Sequence, residues 1–114
     1  MAGEERDRAL LPDMLSYAEE AVALVRGVGF EQHQKDRIRV LALERVVEII
    51  GEAAAQVSQA TKDEIVKIPW KLIRGQRNVL AHMYGKVDQF QLYRTAKEDL
   101  PGLIAVLKKR IGDV

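Results

Sequence analysis

Residues 40–57 have the sequence VLALERVVEIIGEAAAQV, in which apolar side chains recur at steps of three and four. This spacing predicts an α-helix. Further apolar side chains, at Val46, Ile49 and Ala53, widen the apolar stripe beyond what one neighbouring helix would cover. We therefore expect this helix to be buried on more than one side, either at the centre of a bundle or against a second subunit. The main stripe consists of Val40, Leu43, Val47, Ile50, Ala54 and Val57.

The segments on either side of this helix also have helical patterns. Apolar residues between Leu11 and Val25 are spaced for one face of a first helix, which should end at Gly27 or Gly29. After the central helix, Thr61 and Glu64 have the spacing of a capping box, which predicts that a short helix begins at Thr61.

Two longer helices follow in the second half of the chain. Pro69 suits the first turn of one of them, and Gly85 is a natural C-terminal stop for it. Asp88 and Gln91 have capping-box spacing at the start of the last helix, which should kink or restart at Asp99–Pro101. The whole pattern predicts an all-α, up-and-down bundle of four main helices plus a short helix.

Length and composition indicate a small globular protein. A chain of 114 residues can build one hydrophobic core but not two, so we expect a single domain over residues 1–114. The absence of cysteine excludes disulfides and thiolate chemistry and fits a cytoplasmic protein. The N-terminus has no secretory pattern, and no apolar run is long enough to cross a membrane.

Charge is distributed unevenly along the chain. Residues 1–61 hold seven basic and eleven acidic side chains, a net charge of −4, whereas residues 62–114 hold eleven basic and six acidic ones, a net charge of +5. The basic half would attract a phosphate-rich partner.

That basic half contains a polar motif, Arg77-Asn78, followed by His82 and Tyr84. Arginine matches phosphate oxygens with a permanently charged fork, and histidine exchanges protons near neutral pH. The spacing Arg-x4-His-x-Tyr would arise by chance in roughly one chain in 200 of this composition. On an ideal helix Arg77 and His82 diverge by about 140°. They can meet at one phosphate if His82 lies where the helix unwinds, or if two subunits bring their motifs together.

With these residues the sequence resembles the HEPN family, and specifically the HepT-like ribonuclease toxins paired with MntA-type nucleotidyltransferase antitoxins. The similarity extends over residues 37–107, without departure at the motif positions. It is carried by the tracts Glu48–Ala54, Ile68–Trp70, Arg77-Asn78, His82–Tyr84 and Asp99–Pro101.

The resemblance implies a homodimer that cuts RNA in a shared cleft without metal or cofactor. Arg77 would stabilise charge on the phosphate, and His82 would act as general acid or base. Asn78 would orient the substrate or the histidine, and Glu52 is a candidate supporting carboxylate. The resemblance also implies that an MntA-like antitoxin adenylylates Tyr84 and so blocks the cleft.

Two alternatives remain open. The chain could be an inactive HEPN module that binds RNA, nucleotide or a nucleotidyltransferase partner, or a structural dimerisation bundle. Taken singly, the motif residues have simpler interpretations, such as a surface arginine or a histidine at a helix end. Two histidines and no cysteine give a transition-metal site at His33 poor support. Trp70 is expected to lie in the core rather than to form a platform for base stacking.

Overall fold

Seven α-helices follow one another along the part of the chain that the structure describes. The computed structural model covers residues 2–112, without the side chains of Ala2, Glu4 and Tyr84. No strand occurs among these residues, which confirms the predicted all-α fold. The helices are α1 (Ala2–Val25), α2 (Phe30–Lys35), α3 (Arg37–Gln56), α4 (Gln59–Glu64), α5 (Trp70–His82), α6 (Gln89–Arg94) and α7 (Leu100–Gly112).

The central position belongs to α3, as its wide apolar stripe predicts. It packs against α1 on one side and against α5 on another, and α7 packs against α1. The four long helical segments, α1, α3, α5 and α6 continued by α7, form the predicted bundle. The short helices number two, α2 and α4, where the sequence predicted one. Among the most completely buried core side chains are Met14, Leu43, Ile50, Ile68 and Leu107.

Side-chain caps begin three of the helices. Asp36, Ser58 and Asp88 each accept a hydrogen bond from the backbone N–H three residues later, at distances of 3.1, 3.3 and 3.0 Å. The cap at Asp88 confirms the predicted start of the last helix. The cap at Ser58 corrects the prediction for α4, which begins before Thr61.

Thr61 instead helps to attach α4 to α1. Its hydroxyl donates to the buried carboxylate of Asp7 at 2.6 Å. Ser58 donates to the same carboxylate from its hydroxyl at 2.6 Å and from its backbone N–H at 2.9 Å. Burial alone would raise the pKa of Asp7, but these hydrogen bonds outweigh it and lower that pKa below its ordinary value. The carboxylate is therefore kept charged by its donors.

The last helix restarts where the proline predicts it. Residues Thr95–Asp99 form a π-helical turn between α6 and α7, in which the Leu100 N–H donates to the Thr95 carbonyl. Pro101 follows at once and has no N–H to donate, so the regular bonding pattern cannot continue through it. The helix changes its hydrogen-bond spacing just before this position.

The apolar width of α3 is used partly within the single chain. Ala53 is buried in the core, and Val46 packs against the core. These two residues therefore fit the first of the two alternatives, burial at the centre of the bundle, and do not by themselves indicate a dimer. Apolar surface does remain exposed near the start of α3, where Ile38 is 82% and Leu41 46% exposed.

His33 lies in the core rather than in a polar site. Its ring is fully buried next to Tyr93, with 5.5 Å between the ring centroids. Neither ring nitrogen has a hydrogen-bond partner among the described residues. Burial, followed by the nearby Arg39 charge, lowers the pKa of His33. Burial thus favours the neutral imidazole, and the ring serves packing, a role that the sequence did not predict.

Candidate functional site

A close crossing of α3 and α5 sets the position of Arg77. A Cβ atom built on Gly51 would lie 2.3 Å from Arg77 Cβ and 2.7 Å from Arg77 Cγ, distances that atoms do not tolerate. Only glycine leaves room there, so the aliphatic stem of Arg77 packs directly on the α3 backbone. This close packing gives a structural reason for the glycine in the tract Glu48–Ala54.

Arg77 is partly buried at this crossing. Its Nε atom is buried and has no hydrogen-bond partner among the described residues. The two Nη groups are not buried in this way and form no hydrogen bond or ion pair among the described residues, so they are available for a charge-assisted hydrogen bond to an anion. The arrangement favours binding of an anion such as phosphate beside Arg77.

His82 is the last residue of α5, and its side chain is exposed. The helix remains regular up to this point, because the Met83 N–H donates to the Val79 carbonyl at 2.8 Å. The chain therefore does not unwind before His82, and Arg77 and His82 stay about 140° apart around α5. The two side chains therefore leave α5 from different faces of the helix.

Asn78 lies on the His82 side of α5. The two residues are four positions apart, so their side chains are neighbours on the helix surface, and both are exposed. The structure thus brings Asn78 and His82 together and places Arg77 on a different face. An amide in this position can orient either the imidazole or a bound substrate.

The segment after His82 differs from the prediction. Residues Tyr84–Lys86 form a 3₁₀ turn, so α5 ends at His82 and Gly85 lies within the turn instead of capping the helix. Gly85 lacks the positive φ of a left-handed cap, which among the described residues occurs at Gly27. The side chain of Tyr84 lies outside the described part of the structure.

Glu52 lies next to Gly51 but is engaged elsewhere. Its carboxylate is 3.8 Å from Arg45 Nη1, and the same guanidinium is 3.5 Å from Glu48. The predicted role of Glu52 beside the motif therefore has no contact to support it and stays a prediction.

The described residues contain no group of three or more histidine, aspartate or glutamate side chains placed to hold a metal ion. Within residues 2–112 no helix has the length and apolar character that crossing a membrane requires.

A cavity of about 370 Å³ beside the motif was not predicted from sequence. It lies between α5, the 3₁₀ turn and the start of α6, and Gly75 and Lys86 are among the residues that line it. Gly75 was a possible sequence signal for this cavity, because glycine destabilises the interior of a helix and its presence there can indicate a packing or functional role.

Comparison with known proteins decides the family. Residues 14–110 match the model of a protein family described as "Ribonuclease HepT-like". This chain belongs to the HepT-like ribonuclease family. Membership confirms the resemblance stated from the motif and identifies the chain as an RNA-cleaving enzyme. No solved structure gives a significant match.

Several relatives of this HepT-like chain carry ribonuclease names. A protein of Thermococcus cleftensis named "Probable ribonuclease HepT" is 35% identical over 101 residues, covering 85% of this chain and 92% of the relative. A protein of Caldanaerobacter subterraneus that is named as an RNase is 32% identical over 102 residues, covering 90% of this chain and 91% of the relative. A protein of Methanocaldococcus jannaschii that is also named as an RNase is 30% identical over 94 residues, covering 82% of this chain and 86% of the relative.

Proposed function

We propose that this HepT-like chain is a metal-independent endoribonuclease whose cleft is built by a homodimer through α3 and α5. The observation that carries the proposal is the regular course of α5 through His82. It holds Arg77 and His82 about 140° apart, so a second subunit is needed to complete the pair. The exposed side chains of Ile38 and Leu41 supply apolar surface on α3 for such contact.

The proposed reaction is a transesterification at phosphorus within the RNA strand. The ribose 2′-oxygen attacks the adjacent phosphorus, the P–O2′ bond forms, and the P–O5′ bond breaks. His82 takes the proton of the 2′-hydroxyl or gives one to the leaving 5′-oxygen. Arg77 of the partner subunit stabilises the charge that grows on the non-bridging oxygens. The products are a 2′,3′-cyclic phosphate and a 5′-hydroxyl.

Side chains next to this pair would assist it. Asn78, one turn before His82, would orient the imidazole or the ribose. Glu52 would act only if it left Arg45, to which it is now 3.8 Å away.

A cleavage assay with purified protein tests this mechanism. We expect single-stranded RNA to be cut equally well with and without a metal chelator, and the all-DNA analogue to resist, because it lacks the 2′-hydroxyl. Cleavage that stopped with chelator and returned with magnesium would contradict the mechanism. RNA binding without any cleavage would favour the alternative, an inactive HEPN binding module.

We also propose that the enzyme is a toxin and that an MntA-like nucleotidyltransferase antitoxin adenylylates Tyr84. Tyr84 is two residues beyond His82, in the turn that ends α5, so an added adenylate would bring bulk and phosphate charge next to the cleft. Neither of the other two tyrosines is fully exposed. Tyr93 is buried, with its hydroxyl donating to the Val28 carbonyl at 2.6 Å, and Tyr17 is half-buried.

Tyr84→Phe should therefore retain most toxicity in growing cells and resist neutralisation by the antitoxin. Incubation with antitoxin and ATP should add adenylate-sized mass increments to the wild type and to the control Tyr17→Phe. The Tyr84→Phe protein should show none in intact-mass spectrometry. Increments that persist in Tyr84→Phe would move the acceptor to another hydroxyl.

A further inference from the structure

The cavity beside α5 has the character of a small-molecule site. Its volume of about 370 Å³ lies within the range of ligand pockets, and its walls are mostly aliphatic with a few polar groups. Those walls come from α5 on one side and from the 3₁₀ turn and α6 on the other. The aliphatic lining consists of Leu72, Val79, Leu80, Val87 and Leu92.

Gly75 keeps one wall of this cavity open. It lies inside α5, where glycine weakens a helix relative to alanine. A Cβ atom added there would meet nothing within 4 Å, so packing against the protein does not require glycine. This differs from Gly51, where close approach of another helix leaves no room. The space over Gly75 is available to a ligand.

Charged groups at the cavity favour an anionic ligand with polar edges. Lys71 and Lys86 line it, and neither takes part in the ion pairs formed by the described residues. Asp88 also lines it, with one oxygen accepting from the Gln91 N–H, and Gln76 donates to the Thr95 hydroxyl. The balance of two ammonium groups and one carboxylate is positive.

The cavity also lies on the His82 side of the helix. His82 follows Gly75 by seven residues, which places it about 10 Å further along nearly the same face of α5. The turn that holds Lys86 follows His82 directly. A nucleotide next to the phosphate at His82 can therefore reach the cavity.

We propose that this cavity binds one base of the RNA substrate, while Lys71 and Lys86 contact the flanking phosphates. The proposal rests on the RNA cleavage proposed above and deepens it, because it assigns a subsite that selects or positions the strand. The aliphatic walls cover the faces of the base. The Asp88 carboxylate and the Gln91 amide are available to its polar edge.

Binding of short RNAs to a cleavage-deficient protein tests the proposal. In the His82→Ala background, Gly75→Leu fills the cavity, and octamers with one abasic residue at successive positions each remove one base. At one position, loss of the base should weaken binding about tenfold, near the lower end of what a base stacked on an aromatic ring contributes, because these walls are aliphatic. Gly75→Leu should weaken the intact octamer similarly, and the two changes together should weaken binding little further.

Matched variants separate the cavity from general effects. Gly102→Leu makes the same change at an exposed glycine of α7 that also has open space around it, and it should leave RNA affinity unchanged. Lys71→Ala and Lys86→Ala should each reduce the dependence of log affinity on log salt by about 0.7, whereas Lys109→Ala on α7 should not. Melting temperatures should not fall in Gly75→Leu, because leucine favours a helix more than glycine does.

Two results would overturn the proposal. One is full additivity of base removal and Gly75→Leu at every position. The other is unchanged RNA affinity in Gly75→Leu, which would assign the cavity to another occupant, such as an apolar side chain of a partner protein. If either result is obtained and the wild type still cleaves RNA, the base-binding subsite is wrong and the proposed ribonuclease function is retained. If the protein neither binds nor cuts RNA, both fall.

Discussion

Replacement of His82 by alanine should reduce RNA cleavage by a factor of about 100 to 10,000, the usual contribution of a general acid or base. His82→Gln should be as inactive, because an amide can hold the substrate by a hydrogen bond but cannot transfer the proton. The fold should be unaffected, since the side chain is exposed at the end of α5. Single-turnover cleavage and thermal melting measure the two effects separately.

The neighbouring Met83, which is 47% exposed, provides a control in the same turn. Met83→Ala should cut RNA at close to the wild-type rate. A His82→Gln protein with substantial activity would show that His82 positions the substrate and that another group moves the proton.

The second large effect concerns stability. Gly51→Ala should lower the free energy of unfolding by about 3 kcal/mol, because the added methyl group must displace the Arg77 stem or separate α3 from α5. The melting temperature should fall by about 10 °C or more. Cleavage should also fall at temperatures where the variant is folded, because Arg77 moves with α5.

Gly102→Ala is the matched control, since a Cβ there meets no atom within 4 Å. It should melt at or slightly above the wild-type temperature. A Gly51→Ala protein that melts within about 2 °C of the wild type would contradict the close crossing that positions Arg77.

Local patterns predicted the parts of the fold that depend on local chemistry. The apolar spacing of α3, the cap at Asp88 and the restart before Pro101 all follow from neighbouring residues. Thr61 was misassigned because its partner, Asp7, is 54 residues away, a contact that no local spacing reveals. The sequence did not decide whether Ala53 is covered by the same chain or by a second subunit, because a sequence does not show how much of a wide apolar stripe a single chain can bury.

The residues of the candidate site stay a prediction, and their geometry could be predicted only in part. Helical spacing was enough to predict that Arg77 and His82 diverge, and the regular end of α5 excludes the unwound alternative. The packing of Arg77 on Gly51 could not be predicted, because it depends on how two helices cross. It also means that Arg77→Met is a better test than Arg77→Ala, since methionine keeps an aliphatic stem against α3 and removes the guanidinium.

Activity of a mixed dimer tests the shared cleft most directly. Arg77→Met and His82→Ala subunits, each inactive alone, are co-expressed with different tags, and the heterodimer is purified through both. If Arg77 of one subunit acts with His82 of the other, each heterodimer holds one complete pair and should cut RNA at about half the wild-type rate. A heterodimer as inactive as its two parents would contradict the account.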